Sequence, residues 1–226
     1  MTEPDEYELS NTDPDDISDV LLKVEKSFDF KFGEKDLKEV KTFGELCDVI
    51  VDKVEGSDSN DCTTQQAFYK VRNAIADTLL INKIAITPGT DLQLLFPKHS
   101  RRRDISAVES LLGFKTNILR PKFWITATLG LFLLGSFVGV FIFWKVFLPI
   151  FLLSILGLWI SDKLGNELDI KTVGELSEKL SREHYKKSRR DEKTVNRSEI
   201  SEKVKEIFRA DLGLEDNALT REATFA

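Results

Sequence analysis

Apolar residues are spread unevenly along this chain. From Phe123 to Ile160 they run almost unbroken, with Lys145 the single charge and Thr126, Thr128, Ser136 and Ser154 the other strongly polar side chains. As one helix the run would rise about 57 Å, against a bilayer hydrocarbon core of about 30 Å. Lys145 and Pro149 fall near its middle, and a proline lacks the N–H that an unbroken helix uses. The pattern therefore predicts a two-helix transmembrane hairpin over residues 123–162, with arms of about 123–143 and 148–162 and a turn around Trp144 to Phe147. The second arm is short for a full crossing, so a re-entrant hairpin is the variant. Trp124, Trp144 and Trp159 fall near the arm ends, as interfacial belts require.

Outside this run the apolar positions have helical spacing. Residues 1–15 are acidic and poor in apolar side chains, which predicts a disordered tail. Ile17, Val20, Leu21, Val24 and Phe28 form one stripe, followed by an extended Phe28, Phe30, Phe32 link. Thr42 and Glu45 have capping-box spacing ahead of a helix burying Leu46, Val49 and Ile50; together these make an N-terminal unit over 16–55. Thr63 and Gln66 repeat that spacing ahead of a Phe68, Val71, Ile75, Leu79 stripe, and a turn at Pro88-Gly89 leads to an Ile105, Val108, Leu111, Leu112 helix, giving a unit over 62–118. Beyond the hairpin, Thr172 to Leu176 repeats the earlier Thr-apolar-Gly-Glu-Leu and opens a helix over 168–186 that completes the second unit. A last helix with Ile200, Val204, Ile207 and Phe208 on one face belongs to a segment over 196–226. The fold class expected is all-α.

Charge narrows the function classes. The net charge is −6, which argues against general nucleic-acid binding, since that affinity comes mainly from Lys and Arg on phosphates. Basic residues gather beside the apolar run instead: Arg103, Lys115, Arg120 and Lys122 before it, and Lys163, Lys171 and Lys179 after it. By the positive-inside rule both flanks stay cytoplasmic, in a multi-pass protein of the cell (inner) membrane. The cluster from Lys98 to Lys122 suits anionic lipid. No signal peptide opens the chain, because residues 1–16 carry seven acids and no Lys or Arg. Cys47 reads as a small buried apolar residue, and Cys47 and Cys62 have no metal or disulfide spacing. His99 and His184 stand apart in basic loops without an acid and nucleophile around them. No catalytic, cofactor or metal site is expected. Gly135 and Gly139 have small-xxx-small spacing, read as packing between the hairpin arms, with homo-oligomer formation as the alternative.

Two stretches carry a resemblance. Ile200 to Phe225, a helix then Leu-Gly-Leu and Leu-Thr-Arg-Glu-Ala-Thr-Phe, resembles the first helix and loop of an acyl carrier protein. Ile75 to Phe96, with Ile-Thr-Pro-Gly-Thr-Asp-Leu, is similar, and the two Thr-apolar-Gly-Glu-Leu boxes resemble the start of that family's last helix. The resemblance implies small helical acyl-carrier-like units flanking the hairpin. It does not extend to the family's Asp-Ser-Leu, whose serine takes phosphopantetheine: Ser100 stands at the matching place between His99 and Arg101, in a basic setting unsuited to the loading enzyme. The expected function is a membrane-anchored, non-catalytic acyl-carrier-like protein that docks a protein partner at the cytoplasmic face. Alternatives are a membrane-tethered, phosphopantetheine-bearing carrier in lipid or secondary metabolism and an accessory subunit of a membrane enzyme or transporter.

Overall fold

The computed structural model describes residues 8–225. The expected acidic tail lies outside them as far as residue 7. Among the described residues of that stretch the expected disorder is not seen: Leu9–Asn11 close a short 3-10 turn and Leu9 is buried. Helix α1 (Pro14–Phe28) starts before Asp16 because Asp13 accepts a hydrogen bond from the Asp15 N–H at 2.9 Å, and a proline at the first helical position is preorganised for it. Helix α2 (Phe43–Lys53) opens on the expected capping box, with the Glu45 N–H donating to Thr42 Oγ1 at 3.2 Å and the Thr42 N–H donating to Glu45 Oε2 at 3.1 Å.

The chain continues through β1 (Ser57–Asp58), α3 (Thr63–Leu79), α4 (Leu92–Leu95), α5 (Arg101–Leu112), β2 (Leu119–Arg120) and α6 (Phe123–Lys163). After α6 come β3 (Glu167–Leu168), α7 (Val173–Glu183), α8 (Tyr185–Ser188), β4 (Thr194–Val195) and α9 (Arg197–Leu212). The fold is mostly helical, as expected, with two small additions: β1 pairs in parallel with β4, and β2 antiparallel with β3.

Contacts divide the chain into two compact units, one of Met1–Asn73 with Gly174–Ala226 and one of Ala74–Val173. The first joins stretches that the sequence presents separately. Val20, Val24 and Phe28 of α1, Phe43, Leu46, Cys47 and Ile50 of α2, and Ile200, Val204, Ile207 and Phe208 of α9 share one buried core with Tyr185. Phe43 meets Phe208 edge-on at 5.3 Å, and Phe28 meets Tyr185 at 4.7 Å between ring centroids. In the second unit Ile75, Ile86, Leu92, Phe96, Ile105, Val108 and Ile118 are buried.

One local arrangement occurs twice. Thr42 bridges Thr224, with the Phe43 N–H donating to Ala223 O at 2.8 Å and the Phe225 N–H to Lys41 O at 3.1 Å. Thr172 bridges Asp91, with the Val173 N–H donating to Thr90 O at 3.1 Å and the Leu92 N–H to Lys171 O at 2.8 Å. Each Thr-apolar-Gly-Glu-Leu box thus anchors the loop that resembles its counterpart, in the same register. Gly44 permits this approach in the first copy, since a Cβ there would lie 2.7 Å from Arg221 O.

The capping box expected at Thr63 and Gln66 does not form. Thr63 is fully buried and its hydroxyl and N–H both donate to the Glu199 carboxylate, while the Gln66 side chain accepts from the Arg190 N–H at 2.6 Å. A carboxylate from α9 thus caps α3 in place of its own residues. Beneath it Arg189, fully buried, donates to Thr63 Oγ1 at 2.6 Å, to Thr194 Oγ1 at 3.0 Å and to Asp61 O at 3.1 Å, and lies 3.5 Å from Glu199. Removing one member of such a buried pair strands the other. Arg189→Met should lower unfolding stability by about 3 kcal/mol. Arg221→Met, which breaks only the exposed pair with Asp48 (2.6 Å), should cost less than about 1 kcal/mol. Denaturant unfolding of the detergent-solubilised full chain compares them, and equal losses would contradict this account of the buried node.

Candidate membrane anchor

Helix α6 is long and apolar enough to cross a membrane. Its buried residues are Ser136, Gly139 and Ser154, whereas Phe123, Leu131, Phe141, Ile142 and Leu153 are each at least two-thirds exposed or close to it. Small residues inside and large apolar ones outside is the reverse of a water-soluble helix, and it matches helices that pack in lipid through small side chains. The hydroxyls make no demand on their surroundings. Thr126, Thr128, Ser136 and Ser154 each donate to a carbonyl of the preceding turn, of Phe123, Trp124, Leu133 and Ile150 respectively, at 2.7–3.0 Å.

The helical run is interrupted at Phe143, whose φ of −138° and ψ of 73° are not helical. The expected turn around Trp144 to Phe147 is therefore displaced, and Lys145 and Pro149 lie within helix. Pro149 withdraws the one bond its N–H would have made to Lys145, and the helix continues past it. Contacts link residues on either side of the break: Phe137 and Phe151 lie 6.1 Å apart, and a Cβ on Gly157 would meet Leu129 at 3.0 Å. Gly139 and Gly135 part company. A Cβ on Gly139 would run into the Phe147 ring, while Gly135 faces open space. Trp124 and Trp159 stand toward the two ends of α6 and Trp144 beside the break, with Lys163 Nζ 3.8 Å from the Trp159 ring centre.

The ends of α6 are held together by a polar collar. Leu119 pairs with Leu168 and Arg120 with Glu167, and Gly165 lies so close that a Cβ on it would sit 2.6 Å from the Arg120 carbonyl carbon. The basic stretch expected to present its charges to lipid is partly used here. Arg101, almost fully buried, donates to Phe96 O at 2.8 Å and Asn166 O at 2.7 Å, and Arg102 donates to Lys163 O at 3.0 Å, satisfying the last carbonyl of α6. Asn166 donates to Lys98 O at 2.8 Å, Lys98 pairs with Glu167 at 2.9 Å, and Arg120 with Asp169 at 3.2 Å. The Lys98 hydrogen bond, with Lys98, Arg101 and Lys122 nearby, holds the Glu167 carboxyl below the usual carboxylate range. Nothing before the structure pointed to Gly165 and Asn166, although two turn-forming residues directly after an apolar run are a signal of a sharp exit.

Other candidates are placed as follows. Ser100 precedes α5 at its N-cap, half-buried, and hydrogen-bonds the Asp104 carboxylate, which with Arg103 keeps that group below its usual range. His99 is exposed in the turn before it. His184 is buried between α7 and α8, not in a loop, because the two helices follow each other directly; its carbonyl accepts the Ser188 N–H at 2.8 Å. Cys47 is buried in α2, where burial pushes its thiol up to about 11, and Cys62 is exposed. Among the described residues no group of His, Cys, Asp or Glu could hold a metal ion. No protein family, curated protein or solved structure matches the chain.

The close approach at Gly165 makes the collar sensitive to one methyl group. Gly165→Ala must separate β2 from β3 or shift Arg120, at a cost of about 1–3 kcal/mol. Gly135→Ala, into open space, should be nearly neutral, and thermal unfolding in detergent distinguishes the two.

Proposed function

We propose that the chain is a membrane-anchored, non-catalytic protein whose small helical, acyl-carrier-like units dock a protein partner at the cytoplasmic face, held there by α6 as a two-helix hairpin. The observation that carries the anchor is the makeup of the first unit's core: α1 and α2 precede α6 in sequence, α9 follows it, and all three bury their apolar faces together. A core cannot have members on opposite sides of a bilayer. If α6 enters the membrane, this core supports a return to the side it left over a single crossing. The break at Phe143 and the pairing of Arg120 with Glu167 support a return at mid-helix. Lys and Arg around both ends favour the cytoplasmic side.

The acyl-carrier likeness is supported by the repeated register of box and loop, Thr42 with Thr224 and Thr172 with Asp91. Against a loaded carrier stands Ser100, engaged with Asp104 and flanked by His99, Arg101, Arg102 and Arg103. A docking role requires neither a prosthetic group nor a reactive residue, and it uses the surfaces of the units.

Topology and loading are tested on the full chain in its membrane. Cys47→Ala leaves exposed Cys62 as a reporter before α6; Cys47→Ala/Cys62→Ser/Glu202→Cys places one on exposed α9, after it. Both should be shielded from an impermeant maleimide in intact cells and labelled after permeabilisation. Labelling of only one in intact cells would sink the hairpin, and labelling of both would reverse its orientation. Intact mass of the same preparations should show no phosphopantetheine; an addition lost in Ser100→Ala would restore the carrier reading.

A further inference from the structure

At the collar end of α6, entirely within the Ala74–Val173 unit, lies a cleft of about 430 Å³. Its polar mouth is formed by Lys98, Lys122, Asn166 and Glu167, and its apolar wall by Ile125, Ile160 and Leu164, with Gly157 also in the lining. We propose that this cleft is a binding site for one anionic phospholipid, with the headgroup phosphate at Lys98 and Lys122 and the first part of an acyl chain along Ile125, Gly157 and Ile160. The proposal rests on the membrane reading of α6.

Charge and position together select this occupant. Lys98 and Lys122 bring two cations against the single carboxylate of Glu167, and Arg101 adds to the positive field around that carboxylate. No carboxylate among the described residues forms an ion pair with exposed Lys122, whereas Lys98 already holds Glu167 at 2.9 Å. An anion can therefore bind Lys122 without breaking an existing pair. The apolar wall is continuous with the exposed side chains of α6, so a ligand must be apolar along one part and anionic at the other. A lipid diffusing in the bilayer reaches such a cleft sideways, with its phosphate at the level of the basic residues and its chains alongside α6. A soluble anion would satisfy the lysines and leave Ile125, Ile160 and Leu164 uncovered. The cleft differs from a diffuse basic surface because Ile125, Ile160 and Leu164 line it directly beside the lysines; Leu129 packs over Gly157, 3.0 Å from where a Cβ would stand, and so fixes the two arms that form the wall.

The test is native mass spectrometry of the detergent-purified full chain with added phosphatidylglycerol, phosphatidylcholine or inorganic phosphate. One phosphatidylglycerol should remain bound, in preference to the other two. Lys98→Gln/Lys122→Gln should weaken it about thirtyfold, the equivalent of roughly 1 kcal/mol for each lysine near an anionic headgroup. Lys83→Gln/Lys171→Gln, which removes the same charge from exposed positions of the same unit outside the cleft, should leave it unchanged. Equal losses in both double variants, equal retention of phosphatidylcholine, or binding of phosphate alone would overturn the site. Carbonate extraction of the native membranes is run in parallel. A chain that stays in the membrane yet retains no lipid refutes the cleft and leaves the anchor standing, while a chain released to the aqueous phase refutes the anchor itself.

Discussion

The shared core of α1, α2 and α9 constrains everything that lies between them. Two of its helices come before the long apolar run and one after, so the intervening chain is a closed loop, tied where Phe43 meets Phe208 and where Thr42 bridges Thr224. Closing a loop of that length costs entropy that grows only slowly with length, and a core of fully buried aromatic and branched side chains offsets it. The consequence is vectorial. On the proposed membrane reading the chain leaves on the side where it entered, and the break at Phe143 is where the helical backbone departs from a straight rod.

Helix α6 meets that demand with few polar exceptions. Its threonines and serines satisfy themselves on the preceding turn, so the run presents its surroundings with side chains and no open backbone groups away from the break. The difficulty moves to its ends, where carbonyls lose their helical partners. There Arg102, at the start of α5, supplies a donor to Lys163 O, and Arg101 binds Asn166 O in the turn just beyond the helix. Arg101 is consequently a structural cation, almost without exposure, while Lys98 and Lys122 keep their charges at the surface. A basic stretch in the sequence has thus been divided between holding the ends of α6 together and facing outward.

Much of this was legible in the residue pattern because the determinants are local. The stripe of α1, the Thr42–Glu45 box and the apolar run of α6 depend on neighbours a few residues away, and they stand where periodicity put them. The failures share a different cause. Thr63 and Gln66 have capping-box spacing, but Glu199 and Arg190, distant in sequence, supply the partners; local pattern carries no information about which remote carboxylate arrives first. Leu9, isolated in an acidic stretch, is ordered by packing against a core assembled from helices far along the chain. The break stands at Phe143, just ahead of the turn expected around Trp144 to Phe147, and Pro149 lies within helix because a proline removes one hydrogen bond and need not terminate a helix.

The repeated box shows how one local solution can serve two different ends. In both copies a threonine bridges a residue of the loop, and the next residue's N–H binds that loop's carbonyl, so the start of a helix and the end of a loop are fixed as one piece. In the first copy the fixed piece closes the core that brings the two flanks of α6 together. In the second it holds the loop leading to α4 against the chain emerging from β3, directly beside the collar. The same geometry therefore closes one loop in each of the two units. In the first copy Gly44, two residues after the bridging Thr42, lies hard against Arg221 O and leaves no space for a side chain, so any enlargement of that position would work against the closure of the core.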